Sequence, residues 1–184
     1  LAAPEHFNQA LMVRLAQPIA LNHLRESISH VLQHHDALRL RFQQRNDVWE
    51  QTCAPFDGNV PVSYSDLSDE PHDTRLIALA NLMEETQASL DLANGPLFRV
   101  LLVHVGTGEP DRLFLVAHHL TVDAVSWRII MEDIRTAYEQ HVRGENVVLP
   151  AKTTSFKHWA QLLEESMQSP EAQSELSYRR EATT

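Results

Sequence analysis

The pattern of apolar and polar positions in the first third of the chain predicts a strand, a helix and a β-hairpin. Apolar side chains fall on one face over 7–15, which is typical of a half-buried strand. They then recur at helical spacing over 21–35, which predicts an amphipathic helix. Alternation returns over 38–42, and Asn46-Asp47 predicts a turn before "VWEQTC", which can pair back as a second strand. The supporting apolar positions are Phe7, Leu11, Val13 and Leu15; Leu21, Leu24, Ile28, Val31 and Leu32; and Leu38, Leu40 and Phe42.

The middle third predicts a loop, a helix and a buried hairpin. Three prolines, Gly58 and several aspartates mark 55–73 as mostly loop, and helical spacing then predicts a helix over 72–89. The runs "LFRVLLVHV" (97–105) and "RLFLVAHH" (112–119) flank a turn with glycine and proline, which is typical of a β-hairpin. Because both runs are almost continuously apolar, we expect them in the centre of a sheet covered on both faces.

The last third predicts two helices joined by an extended segment. Helical spacing from Trp127 to Tyr138 indicates the first helix, and Gly144 is placed to end it as a C-cap. The segment "VVLPAKTTS" is expected to be extended, and its Thr154 or Ser155 can cap a final helix.

Trp127 and Trp159 lie on helix faces that are expected to be buried. The polar tail after Pro170 is expected to fray. The mixture of helices, strands and hairpins predicts an α/β sandwich with a mixed or antiparallel sheet.

Composition excludes several classes of protein. The formal charge of -10 argues against nucleic acid as a partner and, more weakly, against an anionic membrane surface. The single Cys53 excludes an intrachain disulfide and fits a reducing cytoplasm. No run approaches the ~20 apolar residues that span a bilayer, and the start lacks the layout of a signal peptide. Because the sequence starts without methionine, we expect it to be part of a longer protein.

Two histidine pairs are candidates for chemistry. His34-His35-Asp36 closes the first helix, where histidine can bond the last free carbonyls and complement the helix dipole. Metal binding there has little support, because no third ligand stands at a fixed spacing.

The second pair, His118-His119, ends a buried strand and enters the loop before a helix. Since adjacent strand residues point to opposite faces, one histidine is expected to face a cleft and the other to be tucked in. Asp123 follows His119 by four residues and, like Ser126, is also suited to a helix start. The residue pattern leaves acid–base catalysis and a structural role equally open.

Several stretches of the sequence resemble one family. "HHLTVDAVSW" (118–127) matches HHxxxDxxS, a signature of the condensation superfamily of nonribosomal peptide synthetases, and "HHDALRLRF" (34–42) is similar to its second motif. "VSWRIIMEDIRTAYEQ" and "LPAKTTSFKHWAQLL" look most like epimerization domains, in which tryptophan follows the motif serine and "LPxKTTSF" precedes the next helix. The resemblance extends to about residue 168, with Ala124 where many members carry glycine.

The resemblance implies an α/β, chloramphenicol-acetyltransferase-like sandwich. Such domains have two lobes in a V with the active site between them. Residues 1–150 are then the N-terminal lobe, and 151–184 are a linker and helix leading toward a C-terminal lobe that this chain lacks.

The resemblance also implies a reaction and its residues. Epimerization domains invert the α-carbon of an aminoacyl or peptidyl thioester carried on the phosphopantetheine arm of a peptidyl carrier protein. His119 becomes the acid–base residue and His118 orients its loop. Asp123 supports the site, and Ser126 and Trp127 shape the helix start and the substrate channel. The opposing glutamate comes from the other lobe, and neither a metal nor a directly bound cofactor is implied.

Three alternatives remain open at this point. A condensation domain would use the same histidine to form a peptide bond between two carrier-bound substrates. A noncatalytic lobe would only dock a partner, and a metal enzyme is the least favoured alternative.

Overall fold

The computed structural model describes residues 6–182, and the chain divides into two compact units with the boundary between Leu149 and Pro150. The strands are β1 (Asn8–Arg14), β2 (Leu40–Arg45), β3 (Val48–Cys53), β4 (Val62–Asp66), β5 (Phe98–His104) and β6 (Arg112–His118). The helices are α1 (Leu21–His34), α2 (Arg75–Ala88), α3 (Ala124–Val142), α4 (Phe156–Met167) and α5 (Pro170–Ala182), with a 3₁₀ turn at Asp36–Arg39.

The first unit is built on a mixed four-stranded sheet with the order β1-β6-β5-β4. β6 pairs antiparallel with both β1 and β5, while β4 runs parallel to β5. The hairpin β2-β3 forms a separate two-stranded sheet. Its turn residues Asn46 and Asp47 both have positive φ, of 48° and 62°, which suits a tight hairpin turn.

The central strands are buried on both faces, as the sequence predicts. Alternate residues such as Val100 and Leu115 pack with α1 and α3, while their neighbours Leu101 and Phe114 pack on the side of α2. Complete burial of one such side chain contributes roughly 1.5–3 kcal/mol. The apolar strands β5 and β6 therefore form the centre of the unit, and the two histidines follow at the end of β6.

Within the first unit the structure corrects two expectations and agrees with a third. The segment 55–73 contains β4, which the sequence analysis placed in loop, because Val62 is its only buried residue and the parallel pairing with β5 uses backbone groups. Leu38 lies in the 3₁₀ turn, so the predicted strand starts at Leu40. Gly144, with φ of 69°, follows α3 and ends it as expected.

The second unit consists of α4 and α5. The Ser155 hydroxyl caps α4 by accepting from the backbone N–H of His158 at 3.2 Å. Trp159 is 52% exposed, so the expectation that it lies in the core is wrong. The polar tail was expected to fray, but it is helical over Pro170–Ala182, where the hydroxyl of Ser169 accepts from the N–H of Ala172 and proline suits the first helical position. The last two residues of the tail, 183 and 184, lie outside the described residues.

None of the helices in the described range 6–182 has the length and apolar character needed to cross a bilayer.

Candidate functional site

The two histidines at the end of β6 lie in different environments. His118 is 1% exposed, and its Nδ1 accepts from the N–H of Leu120 at 3.2 Å. Its carbonyl accepts from both the N–H and the hydroxyl of Thr121, at 2.9 and 2.8 Å. His118 thus fixes the tight turn that follows the strand. His119 is partly exposed, which is the split that strand alternation predicts.

His119 is held by contacts of both its imidazole and its backbone. Its ring stacks on Phe7 with centroids 4.8 Å apart and planes tilted by 21°, and its backbone N–H donates to the carbonyl of Phe7 at 2.8 Å. Nδ1 lies 2.9 Å from the carbonyl oxygen of Val122. Because a carbonyl oxygen can only accept, Nδ1 must carry a hydrogen, and the lone pair of the neutral ring is on Nε2.

Nε2 of His119 lies 3.0 Å from the side-chain nitrogen of Gln9 on β1. The side-chain oxygen of Gln9 accepts from the indole N–H of Trp127 at 3.0 Å. Trp127 is 6% exposed and packs near Phe98, with ring centroids 6.4 Å apart. The structure therefore brings His119 and Trp127 together through a residue that was not among the predicted site residues.

A sequence signal for Gln9 exists. It occupies the position between Phe7 and Leu11 in the alternating series, which places a polar side chain on the face that packs toward the core. A polar residue at such a position usually has a specific hydrogen-bond partner. The sequence does not reveal that the partner is His119, 110 residues away.

Asp123 and Ser126 form the start of α3. The carboxylate of Asp123 accepts from the N–H of Ser126 at 2.7 Å and from its hydroxyl at 2.6 Å. These bonds hold the pKa of Asp123 below its usual value, with burial opposing them. Asp123 is exposed and acts as the N-cap of α3. The geometry gives it a structural task at the helix that carries Trp127.

The earlier pair, at 34–36, lies where α1 ends and makes contacts that were not predicted. Arg39 donates to the free carbonyls of Leu32 and Gln33, a task that the sequence analysis gave to the histidines. His35 instead bonds through Nε2 to Asp133 on α3 at 2.6 Å.

His34, His35 and Asp133 present potential metal-ligand atoms within 4.8 Å of one another. Asp133 is the third potential metal ligand, whose proximity to the histidines the sequence spacing did not reveal. Its direct hydrogen bond to His35 satisfies a buried carboxylate, so the cluster is accounted for as a tie between α1 and α3.

A surface groove of about 760 Å³ lies elsewhere, between the β2-β3 hairpin and the segment after α2. It is lined by Phe42, Gln43, Gln44, Arg45, Trp49 and residues 88–93, and it includes neither His119 nor its partners. The carboxylate in its lining, Asp91, accepts hydrogen bonds from the backbone N–H groups of Ala93 and Asn94 and from the Asn94 side chain.

The arrangement around His119 can exchange a proton at one defined atom. Because Nδ1 is bonded to the Val122 carbonyl, Nε2 is the ring nitrogen whose lone pair can accept a proton. His118, Asp123 and Ser126 hold the loop and helix on either side of that atom.

Comparison with known proteins gives consistent matches. The profile of the Condensation domain family matches residues 1–183. Linear gramicidin synthase subunits B and C of Brevibacillus parabrevis are 44% and 42% identical over 87% and 97% of this chain. The chain spans only 3% and 2% of the length of these two relatives.

Solved structures agree on the fold. The epimerization domain from the third module of tyrocidine synthetase B superimposes with a TM-score of 0.89 at 33% identity, over 98% of this chain and 41% of that one. The starter condensation domain of rhizomide synthetase superimposes with a TM-score of 0.77 at 20% identity, over 96% and 42%. The α/β, chloramphenicol-acetyltransferase-like fold is confirmed, and its extent fits one lobe of such a domain. The chain belongs to the condensation domain family of nonribosomal peptide synthetases.

Proposed function

We propose that this chain supplies the acid–base histidine of an epimerization domain, which inverts the α-carbon of a carrier-bound aminoacyl or peptidyl thioester. The observation that carries the proposal is the lone pair of His119 Nε2, fixed in direction by the Nδ1 bond to Val122, in a fold similar to the tyrocidine epimerization domain. Cys53 is unpaired, which fits a cytoplasmic location.

The reaction needs a base on one face of the α-carbon and an acid on the other. Nε2 of His119 takes the α-proton, the C–H bond breaks, and its electron pair spreads onto the thioester carbonyl as an enolate. A proton delivered to the opposite face then gives the inverted centre. Histidine suits this exchange because its unperturbed pKa of about 6.5 lies near working pH. His118 holds the loop, while Asp123, Ser126 and Trp127 position α3 beside the substrate path.

The substrate is presented by a peptidyl carrier protein on its phosphopantetheine arm, so no cofactor has to bind to this chain itself. Apolar residues at Leu120, Val125 and Ile129 are exposed next to the motif, and they suit contact with the uncharged pantetheine part of the arm.

The remainder of the domain, a C-terminal lobe, is proposed to supply the opposing acid or base. The chain spans 41% of the tyrocidine domain, which leaves room for such a lobe. α4 exposes Phe156, Trp159, Leu163 and Met167 at helical spacing, a stripe of the kind that another element covers.

The second candidate is a condensation domain that forms a peptide bond between two carrier-bound substrates. The match of the Condensation profile over residues 1–183 and the likeness to the rhizomide starter domain favour it. A third possibility, a noncatalytic docking lobe, has no observation in its favour.

One experiment separates these functions in the longer parent protein. A carrier loaded with an aminoacyl or peptidyl group is incubated with the parent in heavy water, and α-deuterium is measured by mass spectrometry. We expect deuterium uptake, and we expect His119→Ala to lower its rate by about 10²–10⁴-fold. His72→Ala in an exposed loop is the matched control and should keep the parental rate.

The other outcomes are informative. Amide formation with an acceptor carrier, without α-exchange, identifies a condensation domain. Binding of a carrier or partner that survives His119→Ala, with neither reaction in the parent, identifies a docking lobe.

A further inference from the structure

Gln9 is a half-buried polar side chain that makes both of its amide contacts inside the protein. Its oxygen accepts from the indole N–H of Trp127, and its nitrogen faces Nε2 of His119, each at 3.0 Å. The three residues come from β1, the loop after β6 and α3, so the amide links three separate parts of the fold at the proposed reaction centre.

The orientation of this amide follows from chemistry. The indole N–H of Trp127 is only a donor, so it must meet the oxygen of Gln9 and not its nitrogen. The amide N–H₂ is therefore turned toward His119. Nδ1 of His119 already donates to Val122, which leaves Nε2 of the neutral ring as an acceptor for that N–H₂ group. The indole N–H of Trp127, one N–H of the Gln9 amide and the Nδ1 hydrogen of His119 thus each meet an acceptor.

We propose that Gln9 is a positioning residue for His119, and that Trp127 orients its amide so that Nε2 is held unprotonated and aimed in one direction. This inference rests on the proposed function for its role in the reaction. Phe7 stacks on the ring and limits its tilt, while Gln9 and Val122 fix its rotation at opposite nitrogens.

The same bond has a consequence for the substrate. A proton taken from the α-carbon must arrive at the lone pair that the Gln9 amide occupies, so the amide has to move aside when substrate binds. Gln9 is then the hydrogen-bond partner of His119 only while substrate is absent. The bond from the indole of Trp127 keeps the Gln9 side chain anchored when its amide nitrogen leaves His119.

The bond can be tested without any reaction. In the ¹⁵N-labelled 184-residue chain at about pH 8, where histidine is largely neutral, an N–H···N bond produces a scalar coupling across the hydrogen bond. We expect this coupling between the side-chain nitrogen of Gln9 and Nε2 of His119, with the hydrogen of the ring on Nδ1. A ring hydrogen on Nε2, or a missing coupling, would overturn the inference.

Gln9→Glu reverses the polarity of the bond and adds one negative charge. The carboxylate keeps the shape and can still accept from Trp127, but it offers His119 an acceptor in place of a donor. We expect ¹⁵N shifts that place hydrogens on both nitrogens of His119 at neutral pH. Gln51→Glu, at an exposed position of β3, adds the same charge and should leave the His119 signals unchanged.

In the parent protein, Gln9→Glu should lower kcat for α-exchange on the order of 10²-fold, while KM changes little. Gln9→Met keeps the length without either hydrogen bond and should cost less than Gln9→Glu. Equal losses from both would indicate a packing role and refute positioning through Nε2. If the coupling is present but the parent shows no exchange, the proposed function fails while the Gln9–His119 bond stands.

Discussion

His118 and His119 are neighbours in the chain but have different chemical environments. His118 uses its buried ring and carbonyl to close the turn after β6. His119 turns to the other side of the strand, where one nitrogen is anchored and the other can act. At the residue scale, one dipeptide therefore holds both a structural histidine and the histidine for which proton transfer is proposed.

Asp123 gives the first prediction at this scale. As the N-cap of α3 it accepts two bonds from Ser126, so Asp123→Ala should lower the free energy of unfolding by about 1 kcal/mol. Asp123→Asn and Asp123→Ser keep an oxygen at the cap and should restore most of that loss. Chemical denaturation of the 184-residue chain measures the difference.

The activity of the same variants separates two roles for Asp123. If it only caps the helix, Asp123→Ser in the parent keeps α-exchange. A loss of exchange at preserved stability would instead assign Asp123 a direct part in the chemistry.

At the scale of elements, α1 and α3 are joined by a polar tie inside an apolar contact. His35 on the C-cap of α1 bonds to Asp133, which is 4% exposed on α3. Because α3 begins at the motif and carries Trp127, this tie affects how firmly the site is held as well as how stable the unit is.

Breaking that tie should mainly lower the free energy of unfolding. His35→Ala leaves a buried carboxylate without its partner, and we expect a loss of about 1–3 kcal/mol. A double-mutant cycle with Asp133→Asn measures the coupling. The control is Glu132→Ala, next to Asp133 but on the exposed face of α3. It breaks only the surface ion pair with Arg128, at 3.9 Å, and should change the free energy of unfolding by less than about 0.5 kcal/mol. Equal effects from His35→Ala and Glu132→Ala would contradict the structural assignment.

The α1–α3 contact also contains a second group of histidines. The rings of His30 and His141 are 5.3 Å apart, with His23 6.3 Å from His141. Burial lowers the pKa of His30, the possible positive charge of His141 lowers it further, and Glu26 opposes both.

Acid should therefore weaken this contact. Because the pKa of His30 is lower when folded, the unfolded chain binds more protons below about pH 6.5, and stability falls as pH drops from there toward the folded pKa. Denaturation midpoints measured across this range should fall less steeply in His30→Gln. His72→Gln in the exposed loop is the control, and an unchanged slope in His30→Gln would contradict the prediction.

How much the sequence predicts depends on whether a feature is local. β5, β6 and the cap at Asp123 follow from apolar runs and from neighbouring residues. The sequence pattern does not predict β4, because the strand pairs through backbone atoms and its single buried side chain gives no periodic signal. Asp133 lies 98 residues from His35. The apolar pattern can therefore show which face of α3 is buried, but it cannot show that Asp133 bonds to His35.

At the scale of the whole molecule, the proposed function assigns this chain one of the two acid–base groups that epimerization needs. His119 and its supports lie within the first unit, while the chain spans about two fifths of the tyrocidine domain. A racemising or inverting exchange needs groups on both faces of the α-carbon. The acid–base group proposed for the second face has to come from the remainder of the domain.

The isolated 184-residue chain is therefore expected to fold without catalysing exchange. Circular dichroism and a cooperative denaturation curve check the folding, and α-deuterium uptake from a loaded carrier checks the activity. If the isolated chain catalyses deuterium uptake above the uncatalysed rate, the proposal that the second acid–base group lies in the remainder of the domain is wrong. Adding the remaining part of the parent as a separate chain should restore exchange wherever the two parts associate.

The antiparallel pairing of β1 with β6 sets Gln9 against Ala117 and Asn8 against His118. A slip of one residue would turn Gln9 away from His119, and it would also turn Leu11 and Val13 out of the core they pack against. The loss of apolar burial thus makes the misaligned strand less stable, whether or not substrate is bound. An insertion or deletion of a single residue within 8–14 should therefore disturb stability and the environment of His119 together.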